Sequence, residues 1–329
     1  MEPITFTPLY MQRIWGGREL EHLYGRILPD PDQPFGESWE IVDRETEQSV
    51  VDQGRFLGCT LHDLWTHQRK EIFGEGLRDY SRFPLLIKVL DARQDLSIQV
   101  HPPAQVAVRF GGEPKTEMWF IAACEPQAKL YVGLKAGVTR ADFEESIHKG
   151  TVADCVHAIT PHPGDSIFIA SGRLHAIGAG VLIHEIQQNS DTTYRVFDWN
   201  RLGLDGKPRT LHVEQSLASI DFDDFEPAMD TPNGETLADC EYFKTDQKSL
   251  KVGESIGNLH TDRFSILTIV EGELASDCGR RFQKGQFILL PRGAAALNVL
   301  ADSRVLQISL PSFAADTGSL DSTADIPNS

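Results

Sequence analysis

Ser97-Ile98-Gln99-Val100-His101 brings together two residue types that can do chemistry. Read as extended backbone, the run sends Gln99 and His101 to one face and Ile98 and Val100 to the other. An amide oxygen and an imidazole nitrogen are costly to bury alone, so a shared interior face calls for hydrogen bonds or a metal ion. Pro102-Pro103 ends the strand at once. A second extended run, Glu117 to Ile121, alternates so that Glu117, Trp119 and Ile121 share a face, and Lys115 lies two residues before the carboxylate.

The elements that must position these side chains are mostly strands. Short extended pieces and turns fill residues 1–58, with Trp39 and Ile41 alternating in the run Phe35 to Ile41. Thr60 opens a helix carrying Leu61, Leu64 and Trp65, and Thr139 with Asp142 and Thr151 with Asp154 each predict a capping box at the start of a short helix outside the sheet. Strands are expected from Leu85, over Gly164 to Ile169 and over Val181 to Gln188, followed by a helix from Thr210 to Ile220. The acidic, turn-rich stretch 221–240 marks a boundary, and Phe264 to Val270, Phe287 to Leu290 and Arg304 to Leu310 read as strands beyond it. The expected organisation is a catalytic unit over residues 1–230, a second unit over 231–312 and a small, polar, disordered tail over 313–329.

Composition narrows the function. A chain of 329 residues with 40% hydrophobic and 24% charged residues can bury two cores. Its formal charge of −17 argues against nucleic acid or an anionic membrane as partner, and no basic patch offsets it. A small anionic substrate stays open to it, because a few inward-facing cations dominate at short range. Five widely spaced cysteines without a CxxC pair fit a reducing compartment and speak against a thiolate metal site. With neither a signal-like start nor a long apolar run, a cytoplasmic protein is expected, as a monomer or homodimer.

An internal repeat bears on the architecture. Gly164-x5-Ala170-x-Gly172-x2-His175 aligns without gaps on Gly285-x5-Pro291-x-Gly293-x2-Ala296. In each copy one glycine starts a strand, a second permits a tight turn, and the next strand points inward. The pattern resembles the second conserved motif of the cupin superfamily, which implies a mainly β fold of two cupin jelly-roll barrels with a few short helices. His175 falls where cupins place a metal ligand. Ala296 stands there in the second copy, which is therefore read as degenerate and without metal.

Phe83 to Leu90, Leu96 to Pro102, Lys115 to Trp119, Gly172 to Gly178 and Asn189 to Trp199 resemble, in order, the motifs of the short form of the type I mannose-6-phosphate isomerases. The similarity covers most of the first 220 residues. It implies that Gln99, His101, Glu117 and His175 hold one Zn2+, with Mn, Co or Fe(II) as substitutes. Two imidazoles, one carboxylate and one amide oxygen suit such a borderline ion and leave it a net positive charge. The resemblance also puts Lys88, Lys115, Asp191 and Arg195 around a sugar phosphate. Lys115 and Arg195 are assigned to orientation and to enediolate or phosphate contact, Asp191 to orienting Arg195 or relaying a proton, and Lys88 to holding phosphate.

Each residue also has a plainer explanation. A lone histidine on an apolar strand is ordinarily a hydrogen-bonded core residue, and a buried lysine or aspartate is ordinarily one half of an ion pair. His184 matches no ligand position and is read as structural; His62, His67, His148, His157, His162, His212 and His260 are read as surface or loop residues. Trp15, Trp39, Trp119 and Trp199 suit either barrel core or pocket wall. In longer relatives the residue before the lysine matching Lys115 is often a histidine proposed to move protons; here it is Pro114, so another group is required or turnover is slower. The expected reaction is interconversion of mannose 6-phosphate and fructose 6-phosphate through an enediolate. The alternatives are a cupin metalloenzyme acting on another sugar or sugar phosphate, and a sugar-binding cupin without turnover.

Overall fold

Alternating apolar residues on two sets of strands build the frame in which the polar residues stand. The computed structural model describes residues 1–312, so the expectation for the 313–329 tail lies outside the described residues. A six-stranded antiparallel sheet runs in the spatial order Ser166–Ile169, Glu117–Cys124, Val181–Gln188, Leu85–Ala92, Leu9–Gly17, Phe35–Ile41. A five-stranded sheet runs Tyr194–Phe197, Ile98–Val100, His175–Ile177, Leu130–Leu134, Val156–Ile159. The two pack face to face through Leu90, Trp119, Ile121 and Ile183 on one side and Leu130, Val132 and Ile177 on the other. Ile98 and Val100 turn outward into a separate cluster with Leu134, Phe143 and Val196, which leaves Gln99 facing the space between the sheets.

Strands from Thr236 onward form a seven-stranded sheet of their own, filled by Leu267, Ile269, Phe282, Ile288 and Val305. Its other face meets the back of the six-stranded sheet: Ile266, Leu289, Leu306 and Ile308 share one core with Ile87, Val89, Phe120 and Ile186. The fold is mainly β, as the paired-barrel expectation requires. The repeat is visible in the backbone, since Gly164, Gly172, Gly285 and Gly293 all take positive φ, of 97°, 97°, 82° and 64°. Ser166–Ile169 and Phe287–Leu290 are the strands that each first glycine introduces.

Thr60 and Thr139 form the expected capping boxes with Asp63 and Asp142. Thr151 does not. The segment Val152–Cys155 is a single 3-10 turn closed by Asp154 N–H on Thr151 C=O, and with Thr151 at φ −114° and ψ 24° its side chain makes no cap bond.

His184 stands where the two halves meet, its ring against Tyr24, Phe120 and Phe287 and its Nε2 2.6 Å from the Tyr24 hydroxyl. Burial, helped by Arg26 and Lys284, lowers it from 6.5 to about 3. The unfolded chain thus takes up a proton that the fold refuses. Its contribution is fully present above pH 6.5 and is lost as pH falls toward 3, by about 2–3 kcal/mol at pH 4.5. Urea unfolding at pH 7 and pH 4.5 is expected to show a larger acid loss in the wild type than in His184→Gln; equal losses would rule out this origin.

Candidate active site

Cross-strand register collects the site from both sheets. Gln99 is the direct partner of His175 on one side and of Arg195 on the other. Across the barrel, Glu185 is the direct partner of both Lys88 and Trp119, and Glu117 pairs with Gln187 two positions along. Residues opposite one another share a face, so these two rows look at each other across the interior.

His101, Glu117 and His175 are each 1% exposed, and their ligand-capable atoms lie within 4.8 Å of one another. They are the only such group of three among the described residues. His101 Nδ1–H donates to Thr192 C=O at 2.9 Å and His175 Nδ1–H to Arg173 C=O at 2.9 Å, which fixes both rings with bare Nε2 atoms turned inward. His101 Nε2 is buried and has no hydrogen-bond partner among the described residues. Burial first, then the Lys115 ammonium, holds His101 well below its ordinary range; burial takes His175 down to about 4. Two neutral imidazoles aimed at a buried carboxylate form a donor set that fits a divalent cation. Gln99 stands beside them, its amide nitrogen 3.4 Å from His175 Nε2 and its Oε1 accepting from Ser97.

Above this group is a charged network. Lys115 Nζ lies 3.0 Å from Glu117 and 3.7 Å from Glu185; Lys88 Nζ lies 3.5 Å from Glu185 and 3.5 Å from Glu37, over the ring of Trp39. Trp119 Nε1–H is shared between Glu117 at 2.9 Å and Glu185 at 3.2 Å. Burial opposes the charge on Lys115, but Glu117 and Glu185 outweigh it and raise its proton affinity, while burial and Glu117 raise that of Glu185. Burial would also raise Glu37, yet Lys88 and Arg13 bring it down to about 2. Three cationic groups thus meet three carboxylates, so a bound divalent ion leaves the pocket positive within a chain of charge −17.

The network opens into a cavity of about 580 Å³ that Lys88, Gln99, Lys115, Asp191 and Arg195 all line, with Trp15 and Trp119 as apolar wall. Arg195 Nε–H donates to Ser97 Oγ at 3.2 Å. Asp191 and Arg195 form no ion pair with each other, and Asp191 acts instead on Lys115, whose charge it favours. A larger cavity of about 800 Å³, lined by His22, Asp91, Cys124 and Glu125, contains none of these residues. Trp39 lies under Lys88, and the ring of Trp199 packs on Tyr131 and Phe197. His157 is on the strand Val156–Ile159, half-buried, where a surface or loop position was expected.

Glu37 and Glu185 escaped the sequence reading. Alternation alone places Glu185 opposite His184 and in phase with Gln187, and two buried lysines require carboxylate partners somewhere. Arg209, also on the cavity wall, had no sequence signal.

A mainly β double barrel with a buried His–Glu–His group under a charged cavity is the layout of a cupin-type enzyme site. The comparisons narrow that class. A family model described as the phosphomannose isomerase type I catalytic domain matches residues 4–117. Mannose-6-phosphate isomerase ManA of Bacillus subtilis is 37% identical over 305 residues, spanning 89% of this chain and 94% of its own length. The mannose-6-phosphate isomerase of Streptococcus mutans is 33% identical over 304 residues, spanning 88% and 92%. The crystal structure of the Bacillus subtilis mannose 6-phosphate isomerase aligns with a TM-score of 0.84 at 30% identity, covering 94% of this chain and all of that one. The chain belongs to the type I phosphomannose isomerase family.

Proposed function

We propose that this protein interconverts mannose 6-phosphate and fructose 6-phosphate as a zinc-dependent aldose-ketose isomerase. The observation that carries the reading is the pair of inward-facing Nε2 atoms beside buried Glu117, joined through Gln99 and Lys115 to a cavity lined by lysines and arginines. Gln99, His101, Glu117 and His175 would hold the ion, zinc by the chemistry of the set, with Mn, Co or Fe(II) as substitutes. When bound, a divalent ion supplies Lewis-acid stabilisation of negative charge on oxygen.

The reaction takes a proton from C2 of the aldose and returns it to C1, with charge building on both oxygens of the enediolate. Lys115, an ammonium fixed by two carboxylates, donates to that charge in a site shielded from water. Asp191 lines the cavity with a carboxylate that pairs with no cation among the described residues, which suits it to relay the proton. Arg195, on the cavity lining, orients the sugar phosphate, and Lys88, also on the lining, adds positive charge. In the proposed division of labour, residues 1–230 carry the chemistry and 231–312 cover the back of its sheet.

The test is turnover of mannose 6-phosphate by purified protein as isolated, after chelation, and after adding back zinc, manganese, cobalt or iron(II). Activity is expected to disappear with the metal and return with zinc. Stoichiometric metal binding without turnover of the sugar phosphate would overturn the isomerase reading.

A further inference from the structure

Lys115 sits on a stretch of chain that is held from one side. Glu113 and Thr116 bracket Pro114-Lys115, and all four of their backbone polar groups are bonded to residues 188–192. Glu113 N–H donates to Thr192 Oγ1 at 3.0 Å, and Glu113 C=O accepts from Ser190 Oγ at 3.2 Å. Thr116 N–H donates to Gln188 Oε1 at 2.9 Å, and Thr116 C=O accepts from Gln188 N–H at 3.0 Å. Pro114 has no N–H to add. The Glu113 carboxylate accepts from Arg44 Nη1 at 3.0 Å and also from Arg82, and the two arginines donate in turn to Asn189 C=O at 3.1 Å and 2.9 Å.

The turn that does the holding is itself fixed. Gln187, 0% exposed, donates through Nε2 to Gln188 C=O and to Ser190 C=O, each at 2.7 Å, and Asn189 Nδ2 donates to Asp43 C=O at 2.7 Å and Phe83 C=O at 2.8 Å. Thr192 ends the turn with N–H, hydroxyl oxygen and C=O all bonded: its N–H donates to Ser190 Oγ at 3.2 Å, its Oγ1 accepts from Glu113, and its C=O accepts from His101 Nδ1–H. The seat is tight, since a Cβ on Gly112 would stand 2.8 Å from Thr192 Cγ2. One side-chain oxygen and one carbonyl of Thr192 thus link groups on different sheets. His101 follows the strand Ile98–Val100 of the five-stranded sheet, and Lys115 precedes the strand Glu117–Cys124 of the six-stranded one.

We infer that Thr192 is a positioning residue that holds His101 and Lys115 in one frame, its carbonyl setting the imidazole and its hydroxyl anchoring the chain that presents the lysine. This rests on the isomerase reading for what the two groups do, and deepens it by naming what keeps them in register. An outer partner of a ligating histidine fixes the ring before an ion arrives, and an ammonium lowers the energy of developing charge only where it is placed in advance. Because one residue serves both, loosening it weakens metal binding and slows the reaction together. Thr192→Val keeps the shape and the carbonyl but leaves Glu113 N–H without its acceptor; Thr192→Ser keeps the acceptor.

The test compares these two variants with wild type and, as a control for stability alone, with Gly279→Ala, whose exposed glycine has φ +85° and nothing within 4 Å of an added Cβ. Zinc dissociation constants are measured on the full-length protein by competition with a chelator, amide hydrogen exchange is followed over residues 112–117, and kcat and KM for mannose 6-phosphate are measured at saturating zinc. Thr192→Val is expected to raise the zinc dissociation constant about tenfold, to speed exchange over 112–117 and to lower kcat about tenfold with KM within about threefold, the scale of one hydrogen bond lost beside a ligand. Thr192→Ser and Gly279→Ala are expected to stay within about threefold of wild type in each. A folded Thr192→Val with unchanged zinc affinity or unchanged exchange overturns the inference, as does a Thr192→Ser that fails as badly as valine. If the wild type binds zinc but turns over no sugar phosphate, the isomerase reading fails by itself; weaker zinc and faster exchange in valine, both spared in serine, would still uphold the frame.

Discussion

His175→Ala is expected to strip the protein of its metal and to lower kcat/KM for mannose 6-phosphate by about a thousandfold or more. That factor corresponds to ~4 kcal/mol of transition-state stabilisation, the scale a Lewis-acid ion contributes where charge develops on oxygen. The geometry makes His175 hard to replace. Its ring is locked by the bond from Nδ1–H to Arg173 C=O, so Nε2 is held 3.8 Å from Glu117 Oε1 in advance of any ligand. Alanine removes that atom and leaves only His101 and Glu117 of the buried three. The fold is expected to survive, because Glu117 keeps its ion pair with Lys115 and its bond from Trp119. Metal content per chain, kcat/KM and melting temperature, measured on variant and wild type, decide the matter. A variant that retains both stoichiometric metal and turnover sinks the assignment of His175 as a ligand.

Why the histidines and Glu117 were legible while Glu37 and Glu185 were not is a matter of range. Gln99 and His101 announce themselves through period two within five residues, and His175 through a repeat whose glycines must take positive φ wherever they occur. Both signals are local. Glu185 matters because it lies opposite Lys88 and Trp119, and that placement depends on which strands neighbour one another in the six-stranded sheet. Sheet order is set by long-range packing, and no single strand encodes it. Arg209 is further removed still: it reaches Arg195 only because a loop with two left-handed residues turns back on itself. A separate sheet begins at Thr236, and the core it shares with the six-stranded sheet, of Ile87, Phe120, Ile266 and Ile308, had no local signature. Thr151 shows the opposite failure, a local signature with no helix long enough to use it.

That shared core leads to the second large effect, Gly285→Ala. Gly285 has φ +82°, and a Cβ there would stand 2.4 Å from Tyr24 Cγ, 2.6 Å from Cδ1 and 2.8 Å from Cβ. Tyr24 has nowhere to retreat: its hydroxyl is bonded to His184 Nε2 at 2.6 Å, and Gly285 C=O itself accepts from Arg26 Nη2 at 2.5 Å. Gly279 provides the control, since it takes φ +85° with nothing within 4 Å of its would-be Cβ. Gly279→Ala therefore reports the backbone cost alone, about 1 kcal/mol, whereas Gly285→Ala adds overpacking and is expected to cost about 2–5 kcal/mol. Denaturant unfolding of the two variants measures the difference; equal losses would show that the contact between the halves yields without cost. Turnover at 20 °C by the folded fraction of Gly285→Ala is expected to stay near wild type. His184 and Glu185 are successive residues of one strand, so the contact with Tyr24 and Gly285 lies on the face of the sheet that points away from Lys88 and the cavity. A fall in kcat of the folded variant would mean instead that the second barrel shapes the site through the sheet between them.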